Sequence, residues 1–294
     1  MSDRLVFDHR LLRARRRRAV ALGPVTFLIE RVADDLAERL SAVLRRFEIA
    51  VDLGTPADTL RRALAANDAV GTLISVDSTP RPGVDVVADE EALPFRNASL
   101  DLAVSALALQ FVNDLPGTLI QVRRALKPDG LFLAALVGGD SLTELRQAFA
   151  AAEAETEGGA SPHVAPFADV REMGALLQRA GFALPVADID RLTVRYASPF
   201  GLMGDLRRMG ATNALIERRR MPLRCATLKR MVEIYGARFS DPDGRVRATF
   251  EIVWLSGWAP HESQQKPLAP GSASARLADA LGTRELPAGD KTGR

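Results

Sequence analysis

From Phe47 to Val137, short apolar runs alternate with amphipathic segments, the pattern of a parallel β-sheet covered by helices. The runs predict strands near residues 48–53, 71–77, 84–88, 100–106 and 130–137. Before the last of these, Leu115, Leu119, Val122 and Leu126 share one side of a helix over 115–127, which stops at Pro128-Asp129-Gly130. Beyond it the spacing predicts helices over 141–155 and 169–180, the second ending at Gly181, and an alternating edge strand over 183–196. Residues 199–239 read as helix with breaks, and RVRATFEIVWLSGWAP as a closing strand. Upstream, two helical pieces meet at Gly23-Pro24; the second carries Leu28, Val32, Leu36, Leu40 and Leu44 as a stripe that should dock on the body. The expected organisation is a helical arm (1–45), an α/β body (46–260, with its core at 46–140 and a helical, substrate-binding part at 141–260) and a tail. That tail (261–294), rich in Pro, Gly, Ser and Ala, is expected to be mostly disordered.

Composition narrows the function classes. With 294 residues, 47% of them hydrophobic, the chain can bury a full core. No run approaches the roughly 20 continuous apolar residues that cross a bilayer. A single cysteine, Cys225, rules out an internal disulfide and a thiolate zinc cluster, and reads as a small buried residue. The formal net charge is only +2, so the basic surplus is local: Arg13 with Arg15 to Arg18, and Arg218 to Arg220. Such runs are usually solvated helix faces. Aromatic residues are not interleaved with them, which argues against nucleic-acid binding.

In an open parallel sheet, ligands settle at the carboxyl ends of the strands. Asp52 and Gly54 close the first predicted strand, Asp77 the second, and Asp89 with Glu90 follows the third. Gln110, Asn113 and Asp114 follow the fourth. An acid ending the second strand suits ribose hydroxyls, and Asp89 could meet an adenine amino group.

VDLG, SVDS, ADEEALPF, SLDLAVSALALQFVNDLP and LKPDGLFLAAL together resemble a class I S-adenosylmethionine-dependent methyltransferase. The resemblance implies a Rossmann-like α/β sheet, mostly parallel with its last strand antiparallel, and helices on both faces. It also implies S-adenosylmethionine as cofactor, held by Asp52, Gly54, Asp77, Asp89, Glu90 and Gln110. Two relatives share VGGDSLTELRQAF and DLRRMGATNAL: the malonyl-carrier-protein methyltransferase of biotin synthesis, and a mitochondrial complex I assembly factor described as a protein-arginine hydroxylase. FDHRLLRARRRRA, EGGASPHVAPF and FEIVWLSGWAPHESQQKPLAPGSA resemble the second. That family implies a complex I subunit as substrate or client. With no transit peptide before the family-like start, a bacterial, cytoplasmic member is expected; a eukaryotic one would work in the mitochondrial matrix, and contact at a membrane surface stays open.

One departure bears on all of this. Where such families carry further glycines after Asp-Leu-Gly, this chain has Thr55-Pro56-Ala57-Asp58, which removes a backbone donor and adds side chains. Three readings follow: an arginine-modifying assembly factor, a small-molecule or carrier-protein methyltransferase, and a non-catalytic chaperone that has lost its ligand. His163, between prolines in SPHVAPF, is the leading polar candidate for substrate binding or proton transfer, weighed against a loop histidine bonded to nearby backbone. Asp140 could bind a guanidinium but reads first as a helix cap; Asn113 and Asp114 are further substrate candidates. A two-His-one-carboxylate site would have to draw its ligands from His9, His163 and His261, which lie far apart without a His-x-Asp pair, and no metal site is expected. Trp254 and Trp258 are expected to pack under the C-terminal segment.

Overall fold

The structure, a computed structural model, describes residues 5–65, 67–265, 272 and 276–283. The first residues of the arm, and most of the tail expected to be disordered, lie outside the described residues. The chain divides into two compact units, Met1–Pro260 and His261–Arg294. In the second, α9 (Leu277–Leu281) is a short helix, and the His261 ring meets the Ser263 hydroxyl at 2.7 Å.

The first unit is built on seven strands: β1 (Phe47–Leu53), β2 (Val70–Asp77), β3 (Val86–Val87), β4 (Leu100–Ala106), β5 (Leu126–Val137), β6 (Ala183–Tyr196) and β7 (Val246–Trp258). Their order is β3-β2-β1-β4-β5-β7-β6. Pairings from β3 through β5 are parallel; β7 runs antiparallel to both β5 and β6. Strand alternation divides the core in two. Leu102, Val104, Leu131 and Leu133 face one way, against α2 (Phe27–Ser41), α5 (Thr143–Glu157), α7 (Pro199–Arg208) and α8 (Cys225–Phe239). Ala103, Phe132, Ala134 and Leu136 face the other way, against α4 (Leu115–Ala125) and α6 (Val170–Ala180). The expected sheet with helices on both faces is therefore present.

Several local expectations change. β5 starts at Leu126, within the stretch read as the end of a helix, because Leu126 pairs with Leu100 of β4 ahead of a register shift. β3 keeps two residues. The apolar stripe of α2 buries Leu28, Val32, Leu36 and Leu40, but the helix ends at Ser41 and Leu44 is 98% exposed. Cys225 is exposed at the start of α8 rather than buried. Within the first unit, Trp254 and Trp258 lie under the arm: the guanidinium of Arg39 sits 4.3 Å from the Trp254 ring and that of Arg45 5.1 Å from Trp258.

The arm is fastened across the strand ends. The Asn113 Oδ1 accepts from the backbone N–H groups of Val6 and Phe7, both at 2.8 Å, and Phe7 bridges to Leu215. Asp8 then caps α1 (His9–Ala21) by accepting from the Leu11 N–H.

Candidate functional site

Strand order reverses between β1 and β4, and the crevice there opens at their carboxyl ends. A cavity of about 390 Å³ occupies it, within the range of about 300–1,000 Å³ usual for small-molecule sites. Pro56 and Ala57 of the altered loop form part of its wall without filling it. Asp77, Thr79, Arg81 and Gln110 supply polar wall, and α1, α2 and α7 roof it.

Each predicted residue can now be placed. Asp77 ends β2 and is 3% exposed; its Oδ1 accepts from the Thr79 N–H at 2.8 Å and its Oδ2 from Arg81 Nε at 3.2 Å. Arg81 also donates to the Thr55 carbonyl at 2.7 Å, tying the β2–β3 loop to the first turn. Gln110 donates to the Leu107 carbonyl, while its Oε1 and the Thr79 hydroxyl are buried without a partner. Gly54 has φ +70°, and a Cβ there would come within 2.6 Å of Glu90 Oε1. Close packing against Glu90 therefore requires the glycine. Burial pushes the Glu90 carboxyl up from its ordinary range, against Arg16 at 3.8 Å. Asp52, fully buried with Oδ1 unpaired, is pushed up to about 7 by desolvation, opposed by Thr55 and Arg81.

Other candidates stand elsewhere. Asp89 makes a turn by accepting from the Glu91 N–H and is not on the cavity wall. Asn113 serves the arm, and Asp114 caps α4 through the Gly117 N–H. Asp140 is not the cap of α5, whose first turn follows Leu142 in a left-handed conformation without a side-chain bond. It pairs instead with the chain's own Arg191.

A second cavity, about 640 Å³, adjoins the first through five shared wall residues: Phe111, Leu142, Phe167, Leu206 and Ala211. His163 lies on its wall. The ring stacks on Phe149, with centroids 3.9 Å apart and planes within 9°. Its Nε2 meets Glu153 Oε1 at 2.8 Å and the Ser161 hydroxyl at 3.2 Å, so the ring is held by side chains rather than by nearby backbone. The Ser161 N–H and hydroxyl also donate to Glu153, and Arg219 approaches it at 3.8 Å. Burial raises the Glu153 carboxyl, but hydrogen bonds from His163 and Ser161 outweigh it and leave the pKa below the ordinary range. With Nε2–H donated to Glu153, Nδ1 is the nitrogen left to accept a proton.

Arg81, Thr79 and Glu153 were not singled out from the sequence. Arg81 lies in Thr79-Pro80-Arg81-Pro82-Gly83, which reads as turn chemistry, and Glu153 in AEAETE, which reads as a solvated face. The only signal for either was adjacency: Arg81 lies four residues beyond an acid that ends a strand. The described residues contain no group of three or more His, Cys, Asp or Glu placed to share a metal ion.

The adenosyl half of S-adenosylmethionine fits this cavity: it has the volume, an acid at the end of β2, and two partnerless polar atoms on Thr79 and Gln110. At the first turn, Thr55 to Asp58 and the Arg81 tie stand where glycines would expose backbone.

Known proteins agree with this architecture. A methyltransferase domain family matches residues 37–134. The zebrafish (Danio rerio) protein "Arginine-hydroxylase NDUFAF5, mitochondrial" is 37% identical over 286 residues, spanning 93% of this chain and 89% of that protein. The human protein of the same name is 39% identical over 281 residues, spanning 92% and 81%. The malonyl-[acyl-carrier protein] O-methyltransferase of Halorhodospira halophila is 36% identical over 248 residues, spanning 80% and 82%. Among solved structures, the YcgJ protein of Bacillus subtilis superposes with a TM-score of 0.51 at 17% identity, covering 77% of this chain and 98% of that one. That likeness concerns the fold alone.

Proposed function

The chain belongs to the methyltransferase-fold family of the mitochondrial arginine hydroxylase NDUFAF5, and from that premise we propose that it modifies an arginine of a partner protein. The expected partner is a subunit of respiratory complex I, and the expected modification is hydroxylation. The observation that carries this reading is the junction of two cavities across Phe111, Leu142, Phe167, Leu206 and Ala211. One is a nucleoside-sized crevice at the strand ends; the other is larger and mostly apolar, with His163 on its wall. An arginine side chain has an apolar stem and a flat head that stacks on aromatic faces. Phe111 and Phe167 at the junction offer such rings.

S-adenosylmethionine, the group this fold carries, supplies an electrophilic methyl when bound. Asp77, Thr79 and Gln110 would hold its adenosyl half, and Asp77 would share its carboxylate between ribose hydroxyls and Arg81. His163 would position the acceptor or take a proton at Nδ1, with Glu153 fixing the tautomer. Inserting oxygen into a C–H bond draws on a redox group, and the residues assigned here bind and orient rather than supply one. No described helix is long and apolar enough to cross a membrane, and the two arginine-hydroxylase relatives are named as mitochondrial. A bacterial protein of this kind would meet its client from the cytoplasm, a eukaryotic one from the matrix.

The reading is tested by deleting the gene and mapping complex I peptides by mass spectrometry. One arginine should lose its added oxygen, and the His163→Asn variant should restore modification about 10²- to 10⁴-fold more slowly than wild type. Complex I that assembles fully with an unchanged arginine would reject it. The tie between Arg81 and the Thr55 carbonyl favours a second reading, a scaffold without a ligand. A complete absence of thermal shift with adenosyl compounds would select that one.

A further inference from the structure

The charged groups of the strand-end cavity carry information that the family likeness does not. Four arginine side chains, Arg16, Arg17, Arg81 and Arg208, contribute to its wall, against one acidic residue, Asp77. That carboxylate is already taken by Arg81 and by the Thr79 N–H. Arg208 gives one N–H to the Gly23 carbonyl, and Arg17 makes no hydrogen bond or ion pair with the described residues. Arg16 has only Glu90 nearby as a counter-ion, 3.8 Å away, and its guanidinium lies 5.9 Å from the Phe111 ring. Glu90 and Asp52 stand behind the wall, both buried, and desolvation drives both toward the neutral form. Even with both ionised, the four arginines outnumber Asp77, Glu90 and Asp52 by one charge. The rest of the wall is largely apolar, including Pro56, Leu107 and Phe250.

We propose that this cavity prefers adenosine compounds that lack a sulfonium charge and end in an oxyanion over S-adenosylmethionine. The proposal rests on the cavity's being a nucleoside site. A sulfonium placed there would face cations on several sides, in a space whose low polarity strengthens the repulsion. A carboxylate or phosphate would find guanidinium donors already oriented by Asp77, Thr55 and Gly23. Arg81 is the specificity residue: it stands four positions beyond the ribose-type acid and spans to the turn where glycines would otherwise receive the amino-acid end.

Calorimetry on the full chain tests this with three probes: S-adenosylmethionine, S-adenosylhomocysteine and adenosine 5′-phosphate. S-adenosylhomocysteine should bind about tenfold or more tightly than S-adenosylmethionine, the effect of one unit charge at several ångströms in a medium between water and protein. The two oxyanion sources are separated by whether the phosphate or the homocysteine compound binds more tightly; either order supports the proposal if both exceed the sulfonium. Arg17→Glu, an exposed change, should narrow the ratio, and Arg81→Ala should narrow it further. Equal or tighter binding of S-adenosylmethionine overturns the proposal while leaving arginine modification standing. Failure of all three to bind overturns it as well. An unmodified complex I arginine in the wild-type strain would instead strike the functional reading and leave the charge preference untouched.

Discussion

The two cavities differ in how their buried polar atoms are satisfied. Around the strand ends, Asp52 Oδ1, the Thr79 hydroxyl and Gln110 Oε1 are buried with no partner among the described residues; on the wall of the second cavity one such atom occurs, the Thr212 hydroxyl. Around His163, the buried Glu153 accepts from the Ser161 N–H, the Ser161 hydroxyl and the imidazole. Leaving a buried polar atom unpaired costs on the order of 1–3 kcal/mol, so partnerless groups mark where a ligand or water completes the structure. A completed network stabilises on its own. The first region is thus a binding surface with open valences. The second is scaffold that holds one histidine in one orientation, and only the ring's edge is offered to chemistry.

The largest expected effect lies in the completed network. Glu153→Ala removes the acceptor for His163 and for both donors of Ser161, while Arg219 keeps its nearer counter-charge, Glu157, so denaturant unfolding should show a loss of about 3–5 kcal/mol from the buried donors left unpaired. Glu153→Gln, which keeps an acceptor, should cost clearly less. A small loss for the alanine variant would mean that the network is not what holds His163, and the contrast between the cavities would fail.

Stability against pH sharpens the contrast, because the two regions have opposite slopes. Asp52 is pushed up to about 7 from 3.8, so between those values the folded chain keeps a proton that the unfolded chain has lost. Stability from this group is therefore greatest below about pH 4 and falls as pH rises toward 7. Glu153 is shifted down from 4.5, so its contribution is present above that value and is lost in acid. Asp52→Asn should remove the neutral-side decline, worth on the order of 2–4 kcal/mol by pH 8, and leave the acid-side loss in place. Equal pH slopes in variant and wild type would show that Asp52 ionises normally in the fold.

What the sequence made legible follows the range of the interactions concerned. Gly54 and Asp77 could be read because a strand end and a turn are local features; Asp77 lies on the crevice wall, and Gly54 packs behind it against Glu90. His163 could be read because flanking prolines hold its loop extended and it is one of only three histidines. Glu153 could not, since it is enclosed by the returning loop at Ser161 and His163 and by Arg219, which lies far away in sequence. Helical periodicity alone places AEAETE on a wet surface. The charge of the strand-end cavity was illegible for the same reason. Arg16, Arg81 and Arg208 come from three separate segments, and only the arm's return over the strand ends puts them on one wall. Asn113 shows the reverse case: its position after β4 suggested a ligand contact, yet its amide receives the arm.

The smallest expected effect is also the most direct comparison, because it changes one hydroxyl in each region. Thr79→Val removes an oxygen that has no partner and keeps the shape of the side chain, while its N–H still donates to Asp77. Deleting an unsatisfied buried hydroxyl relieves its desolvation cost, so this variant should match wild type or gain up to about 1 kcal/mol in the absence of ligand. Ser161→Ala removes a hydroxyl that donates to a charged Glu153, and should lose about 1–2 kcal/mol, as expected for a hydrogen bond to an ionised group. Adding S-adenosylhomocysteine should reverse the order of interest at the first site: the Thr79→Val protein should gain less thermal stability from the ligand than wild type, because the hydroxyl is then put to use. If both variants lose stability equally without ligand, the Thr79 oxygen has a partner such as an ordered water, and the open valence assigned to that wall is filled before any nucleoside arrives.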